Sequence, residues 1–253
     1  MGPPARTHFA LKKVSFYEKK SVSQRPPPPS WPRQVALVLQ KDWAIELSSG
    51  EVLITSGFFA LLVVVLSSMA YFGGPRTTQT VAAGALWLSV SFALVLSLGK
   101  SWARERQGHA LEGLLLTPLS PSALFAGKTL GLIVFLFLVE AVVTPLTMLF
   151  FSIDLFEVAP GLSLIALLLT PGIAAFGTLF GALLVRTRAR DLALSIVIFP
   201  LLAPALLTAI AATRALLTKA PLSDLSGYLT LLALFDGIAW GGGLGMFGKL
   251  IED

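Results

Sequence analysis

Six stretches of this sequence are long, apolar and almost free of charge, and they constrain the fold more than anything else in it. They cover residues 52–72, 81–98, 129–151, 162–185, 192–212 and 228–247. An uncharged apolar run of about 18 residues or more is long enough to cross a bilayer as a helix. Alternating polar and apolar strands are absent, which argues against a β-barrel. In lipid the backbone must satisfy its own hydrogen bonds, and that leaves helices. Composition agrees: 55% of the 253 residues are hydrophobic, 13% are charged, and the mean hydropathy is +0.80. A soluble domain carries roughly a quarter of its residues as charges. The expected fold is therefore an all-α integral membrane protein of six spans.

Lysine and arginine placement sets the expected orientation, because these residues gather on the cytoplasmic side. Sixteen of the 19 fall before the first span, between the second and third, between the fourth and fifth, or after the sixth. Only Arg76, Arg214 and Lys219 fall on the other side. Counting from Arg33 onward the balance is still 10 to 3. Both termini are expected in the cytoplasm, and the net charge of +5 reads as a topology signal rather than as nucleic-acid binding.

Ahead of the spans, residues 1–32 are basic and contain the run Pro26, Pro27, Pro28, Pro29, the composition of a disordered tail without a signal-peptide core. The membrane domain is expected over 33–253. Its first segment, RQVALVLQKDWAIELS (33–48), repeats Val35, Val38, Leu39, Trp43 and Leu47 at helical spacing, with Arg33, Gln40, Lys41 and Ser48 on another face. It reads either as a helix lying in the membrane interface or as a plain extension of the first span.

Within the spans, Pro145, Pro171, Pro200 and Pro204 each remove a backbone hydrogen bond. Gly177 and Gly181, and then Gly237, Gly241 and Gly245, recur every four residues, a spacing that lets helices approach closely within a subunit or between copies. Glu140 and Asp236 are the two acids inside spans. Each lies eleven residues from one end of its span, about 17 Å deep at 1.5 Å per residue. A charge there costs about 2.5–3.5 kcal/mol on insertion scales. Either the two share a polar spot between the third and sixth spans, or each caps a separate packing defect.

Several chemistries are disfavoured. There is no cysteine, so disulfides and thiolate metal sites are excluded. The only histidines are His8 and His109; His109 and Glu112 alone do not make a zinc site. No nucleophile–base pair is apparent for a membrane enzyme acting on lipid or peptide bonds. AGKT (126–129) matches the end of a phosphate-binding loop, but Ser122 stands at the first glycine position and no strand precedes it. Lys128 reads instead as the charged end of the third span.

The segment RERQGHALEGLLLTPLSPSALFAGK (104–128) joins the second and third spans. A charged start at Arg104 and Glu105 leads into a short amphipathic stretch with Leu111, Leu114 and Leu115 beside Glu112, stopped by Pro118. This suits a helix that docks in another protein's groove, or else a turn packed on its own bundle.

The same loop resembles the coupling loop of ABC-type export permeases, whose pattern runs RExGTLExLLxTPxS…GK. With KDWAIELSSGE, FGTLFGALLVRTRARD, FPLLAPALLTAIAATRALL and FDGIAWGGGLGMFGKLIED, the chain from about residue 33 to 253 resembles the haem exporter protein B (CcmB) family of cytochrome c maturation. His109 and Ala110 depart from the family's glycine and threonine or serine. The resemblance implies an ABC-2 or type V exporter-like permease with an N-terminal interfacial helix in the bacterial inner membrane. It implies no catalytic residue and no cofactor bound directly, ATP and haem being handled by partners. Those partners are a separate CcmA-like ATPase, a second copy of the chain, CcmC/CcmD-like haem-handling membrane proteins and a periplasmic haem chaperone. It implies that the loop residues Arg104, Glu105, Leu111, Glu112, Leu114, Leu115 and Pro118 meet the ATPase, with Arg186, Arg188 and Arg190 either a second contact or orientation anchors. ATP would drive release of the loaded chaperone. The competing readings are an export permease for a drug, lipid or glycan, and a passive assembly scaffold.

Overall fold

A computed structural model describes residues 28–71, 74–106, 117, 119–184 and 190–252. Within Trp31–Asp253, which forms one unit, the described elements are helices. They are α1 (Trp31–Ser49), α2 (Glu51–Ala70), α3 (Pro75–Arg106), α4 (Pro121–Phe151), α5 (Ala159–Leu184), α6 (Arg190–Leu217), a short 3-10 turn (Leu222–Leu225) and α7 (Ser226–Glu252). Six of them, α2 to α7, are long and apolar enough to cross a membrane. The six spans and the all-α class expected from the sequence are thus present.

The helices outrun the apolar runs that announce them. α3 continues from the expected end near residue 98 to Arg106, and α4 begins at Pro121 rather than near 129. Polar residues on these extensions find partners on neighbouring helices, so the helix does not need lipid there. Pro121 opens α4 at a position where its missing N–H costs nothing. Pro145, Pro171, Pro200 and Pro204 all lie inside continuous helices.

The core runs through α3, α4 and α5. Trp87, Leu94, Trp102, Phe125, Leu136, Ile165, Leu169 and Ile173 are among its fully buried side chains. α5 lies along α7, α3 along α2 and α6, and α4 against α1 and α3. Deep in the bundle the indole N–H of Trp87 donates to Thr213 Oγ1 at 2.8 Å, tying α3 to α6. α2 and α7 are the least covered spans, and Leu53, Ile54, Phe58 and Leu66 on α2 face outward as lipid-facing residues do.

Gly177 and Gly181 do pack inside the subunit: a Cβ on them would lie 2.7 Å from Leu98 and 2.3 Å from the indole nitrogen of Trp102. A Cβ on Gly237, Gly241 or Gly245 would meet nothing within 4 Å, and all three lie on an exposed face of α7. Intrasubunit packing therefore accounts for the first pair and not for the second set.

α1 is a separate helix, not an extension of the first span. Gly50 breaks the path with φ 61°, in the left-handed region that glycine tolerates best. Of the expected apolar face of α1, Val35, Val38, Leu39 and Trp43 turn toward the bundle and Leu47 does not. Gln34, Val35 and Val38 are buried, but Leu47 is 77% exposed, while Lys41, Asp42 and Glu46 turn inward. The inward charges meet charges on α3 and α4, which helical periodicity along α1 could not reveal.

Candidate functional site

The densest set of charged side chains lies where α1 crosses the last turns of α3 and the first turns of α4. Glu105, near the end of α3, is its centre. Its Oε1 accepts from Lys41 Nζ of α1 at 2.5 Å and from Lys128 Nζ of α4 at 2.7 Å. Lys128 also reaches Asp42 at 3.3 Å, and Lys41 meets Asp42 at 3.1 Å. The side chains of Glu105 and Lys128 are only 5% and 4% exposed, so this pair is removed from bulk water. Lys128 lies 5.1 Å from the centre of the Trp102 ring, a cation–π distance. Trp102 in turn sits over Gly181 of α5, where no larger residue leaves room.

Two further groups extend the cluster. Arg104 pairs with Glu46 at 3.2 Å and with Glu51 at 3.7 Å and donates to Ser49 Oγ at 3.1 Å; Lys100 pairs with Glu51 at 2.7 Å. Glu46 also accepts the backbone N–H of Leu53 at 2.8 Å, satisfying a donor in the first turn of α2. At the start of α4, Gln34 Oε1 accepts from the Ser120 backbone at 2.8 Å and from its hydroxyl at 3.0 Å, and Trp31 donates to Ser122 Oγ at 3.1 Å. Between α1 and the bundle lies a cavity of about 90 Å³ lined by Asp42, Glu46, Trp102, Arg104, Glu105 and Lys128, among others. That is room for several waters among polar partners.

Lys41 lies outside the spans. Burial alone would lower its affinity for a proton, but Asp42 and Glu105 outweigh burial and hold its ammonium above the usual lysine range. Far from this cluster, at the opposite end of the bundle, Lys219 pairs with Glu157 at 2.9 Å and is likewise raised by that carboxylate.

The intramembrane acids do not share one polar spot between the third and sixth spans. The hydroxyl of Thr170 on α5 donates to Glu140 Oε1. Glu140 is 8% exposed and lies in a cleft of about 500 Å³ between α4 and α5, with Thr144, Met148, Phe156 and Ser163 among its walls. Asp236 meets α5 elsewhere: its Cα is 3.2 Å from where a Cβ on Gly172 would stand. Among the described residues, its buried Oδ1 has no hydrogen-bond partner. Each acid thus addresses a different face of the fourth span, since Thr170 and Gly172 stand two residues apart on a helix of 3.6 residues per turn.

Of the loop residues, Arg104 and Glu105 lie inside the cluster, with Glu105 directed at Lys41 and Lys128 rather than outward. Leu111, Glu112, Leu114, Leu115 and Pro118 lie outside the described residues, as do Arg186 and Arg188. Sequence reasoning missed Gln34, Lys41, Asp42 and Glu46 as parts of a site. Their partners are 58 to 86 residues away in the chain, and the local sign was limited to a charged pair, Lys41–Asp42, between Leu39 and Trp43 of an amphipathic helix.

Six spans fronted by a separate surface helix, pinned by charges to one end of the bundle, define an all-α integral membrane permease. The CcmB protein family matches residues 33–239, from the first turn of α1 into α7. The chain belongs to the CcmB family. It is also similar to heme exporter protein B of Pseudomonas aeruginosa, with 29% identity over 182 residues, covering 72% of this chain and 79% of the relative.

Proposed function

We propose that this chain is the membrane permease subunit of an ABC transporter that exports haem in cytochrome c maturation, driven by a separate ATPase that it meets through the 104–128 loop. The observation that carries the reading is the family match, which takes in α1, the loop and five spans without interruption. The name of the Pseudomonas relative supplies the cargo. The lysine and arginine asymmetry supports cytoplasmic termini, which puts α1, the charged cluster and the loop on the side where ATP is found.

The chain's part in the mechanism is mechanical. The loop is strung between the ends of α3 and α4, the two helices at the centre of the buried core. A motor that closes on ATP would displace those two helix ends. It can shift the bundle only by as much as its contacts differ between the bundle's two states. Leu111, Leu114 and Leu115 beside Glu112 supply the apolar face for the motor's groove, and Pro118 ends the segment. Release of a haem-loaded periplasmic chaperone would be the step that ATP drives, with CcmC/CcmD-like proteins handing over the haem and a second copy of this chain completing the permease.

The test is copurification of the chain with candidate ATPases, repeated with Leu115→Asp and Glu112→Lys. Loss of the complex with membrane insertion intact is the expected result. Undiminished copurification of both variants would remove the loop from the contact.

A further inference from the structure

We propose that Glu105 is a positioning residue: by drawing Lys41 of α1 and Lys128 of α4 onto one carboxylate, it latches the surface helix to both helix ends that carry the loop. Displacement of the loop then moves α1 with it. The mechanical role assigned to this latch rests on the functional reading above; the latch itself does not.

Four observations converge. First, the carboxylate takes its two ammonium partners from different helices, at 2.5 and 2.7 Å, and stands on a third. Second, both sides of the loop are held by the same helix: α1 meets α3 through Lys41 and Glu105, and meets the start of α4 through Gln34–Ser120 and Trp31–Ser122. Third, α1 lies close against α4, for a Cβ on Gly127 would stand 2.6 Å from Val38 Cβ and 3.0 Å from the Val35 carbonyl. Fourth, Val35 and Val38 are the only hydrophobic residues of α1 that are fully buried, with Leu39 and Trp43 partly covered against the bundle. Apolar packing and charges therefore share the seating of α1, and loss of the charges would loosen it. Since Glu105 and Lys128 are almost wholly buried, separating them strands a charge away from water, and carrying α1 along avoids that cost. Arg104, with Glu46 and Glu51, reinforces the junction of α1 and α2 from the more exposed side.

This assigns Glu105 an internal task in place of a partner contact. It also makes α1 a follower of the loop, so that a push on the loop would tilt the surface helix, α3 and α4 together.

The absence of native cysteine allows a direct test in the full chain, in detergent or nanodiscs. Val38→Cys places a thiol under α1 at a position that is 4% exposed, and Ala93→Cys places one in the bundle core at 0% exposed. Maleimide labelling of each is followed by mass. Glu105→Gln and Lys128→Met are expected to speed labelling of the V38C reporter by about tenfold or more, the scale of a local opening released by a lost buried partner. The A93C reporter should stay protected, and Lys100→Gln, in the outer pair with Glu51, should change neither. Unchanged protection of V38C in Glu105→Gln would overturn the latch. So would exposure of both reporters together, which marks general loosening.

A second arm uses the ATPase that copurifies with the unmodified chain. Glu105→Gln is expected to keep the ATPase bound and to lose most of the permease-dependent change in ATP hydrolysis. A variant coupled as well as the unmodified chain would overturn the mechanical role. Failure of any ATPase to bind the unmodified chain would count against the functional reading, while the labelling arm would still decide the latch.

Discussion

Trp102 connects two close approaches that a single methyl group would disturb. Its indole nitrogen stands 2.3 Å from where a Cβ on Gly181 would be, and its ring carries Lys128. Gly181→Ala should therefore force the indole away and disturb the ion cluster, at about 1–3 kcal/mol for overpacking a core. Thermal unfolding of the detergent-purified protein would show the loss, and quenching of tryptophan fluorescence would report the ring shift. Four-residue spacing in the sequence was enough to mark Gly177 and Gly181 as packing sites; that an indole fills the second of them was not legible, since Trp102 is 79 residues away. The intramembrane acids were legible as exceptions to the composition of their spans, but the partner of Glu140 was not. Thr170 looks like any other threonine in an apolar run. Thr170→Val should cost about 1–3 kcal/mol, the penalty for leaving a buried acceptor unmet, whereas Thr170→Ser should cost much less.

At the scale of the helix, the spans were readable because lipid imposes one rule over twenty residues. Their ends were not, because pairs such as Lys100–Glu51 and Arg104–Glu46 extend α3 beyond its apolar stretch and form between distant segments. For the same reason the inner face of α1 was legible only in part: Val35, Val38 and Trp43 pack inward as their spacing indicates, but the charged residues beside them were missed. Hydrophobic period placed Leu47 inside, and charge pairing placed Lys41, Asp42 and Glu46 there instead. The seating of α1 should accordingly respond to alkali. Lys41 is raised in the folded protein, so its stabilising contribution is complete below the ordinary lysine value of about 10.4 and fades as pH rises through the higher folded value. Glutamine at Lys41 should abolish that alkaline dependence. Hydrogen exchange of α1 amides, corrected for intrinsic rates with an unstructured peptide, would measure both.

For the molecule as a whole, the charge imbalance makes a claim about sides that the cysteine-free background can check. A cysteine replacing Thr218, which is exposed beside the α6 end, should react with an impermeant maleimide added to intact cells. One replacing Ser48 on α1 should react only after the membrane is opened. The reverse pattern would overturn cytoplasmic termini. The outer face of α7 is a second whole-molecule feature. A Cβ on Gly241 would meet nothing within 4 Å, so Gly241→Ala should leave thermal stability within about 0.5 kcal/mol, in contrast to Gly181→Ala. Any larger effect on assembly would then have to arise between molecules.

Gly50 gives the surface helix and the first span a shared fulcrum. The backbone there turns on a single left-handed residue, yet hydrogen bonds continue on either side of it, from Gly50 N to the Glu46 carbonyl and from Ile54 N to the Gly50 carbonyl. Two stiff rods that meet at one such point can change their angle without either one unravelling. A change of angle at this joint would have to part the Glu46 bond to the Leu53 N–H and the Arg104 bridge between Glu46 and Glu51, so the two rods pivot only when those contacts are released, a control that a continuous helix could not offer.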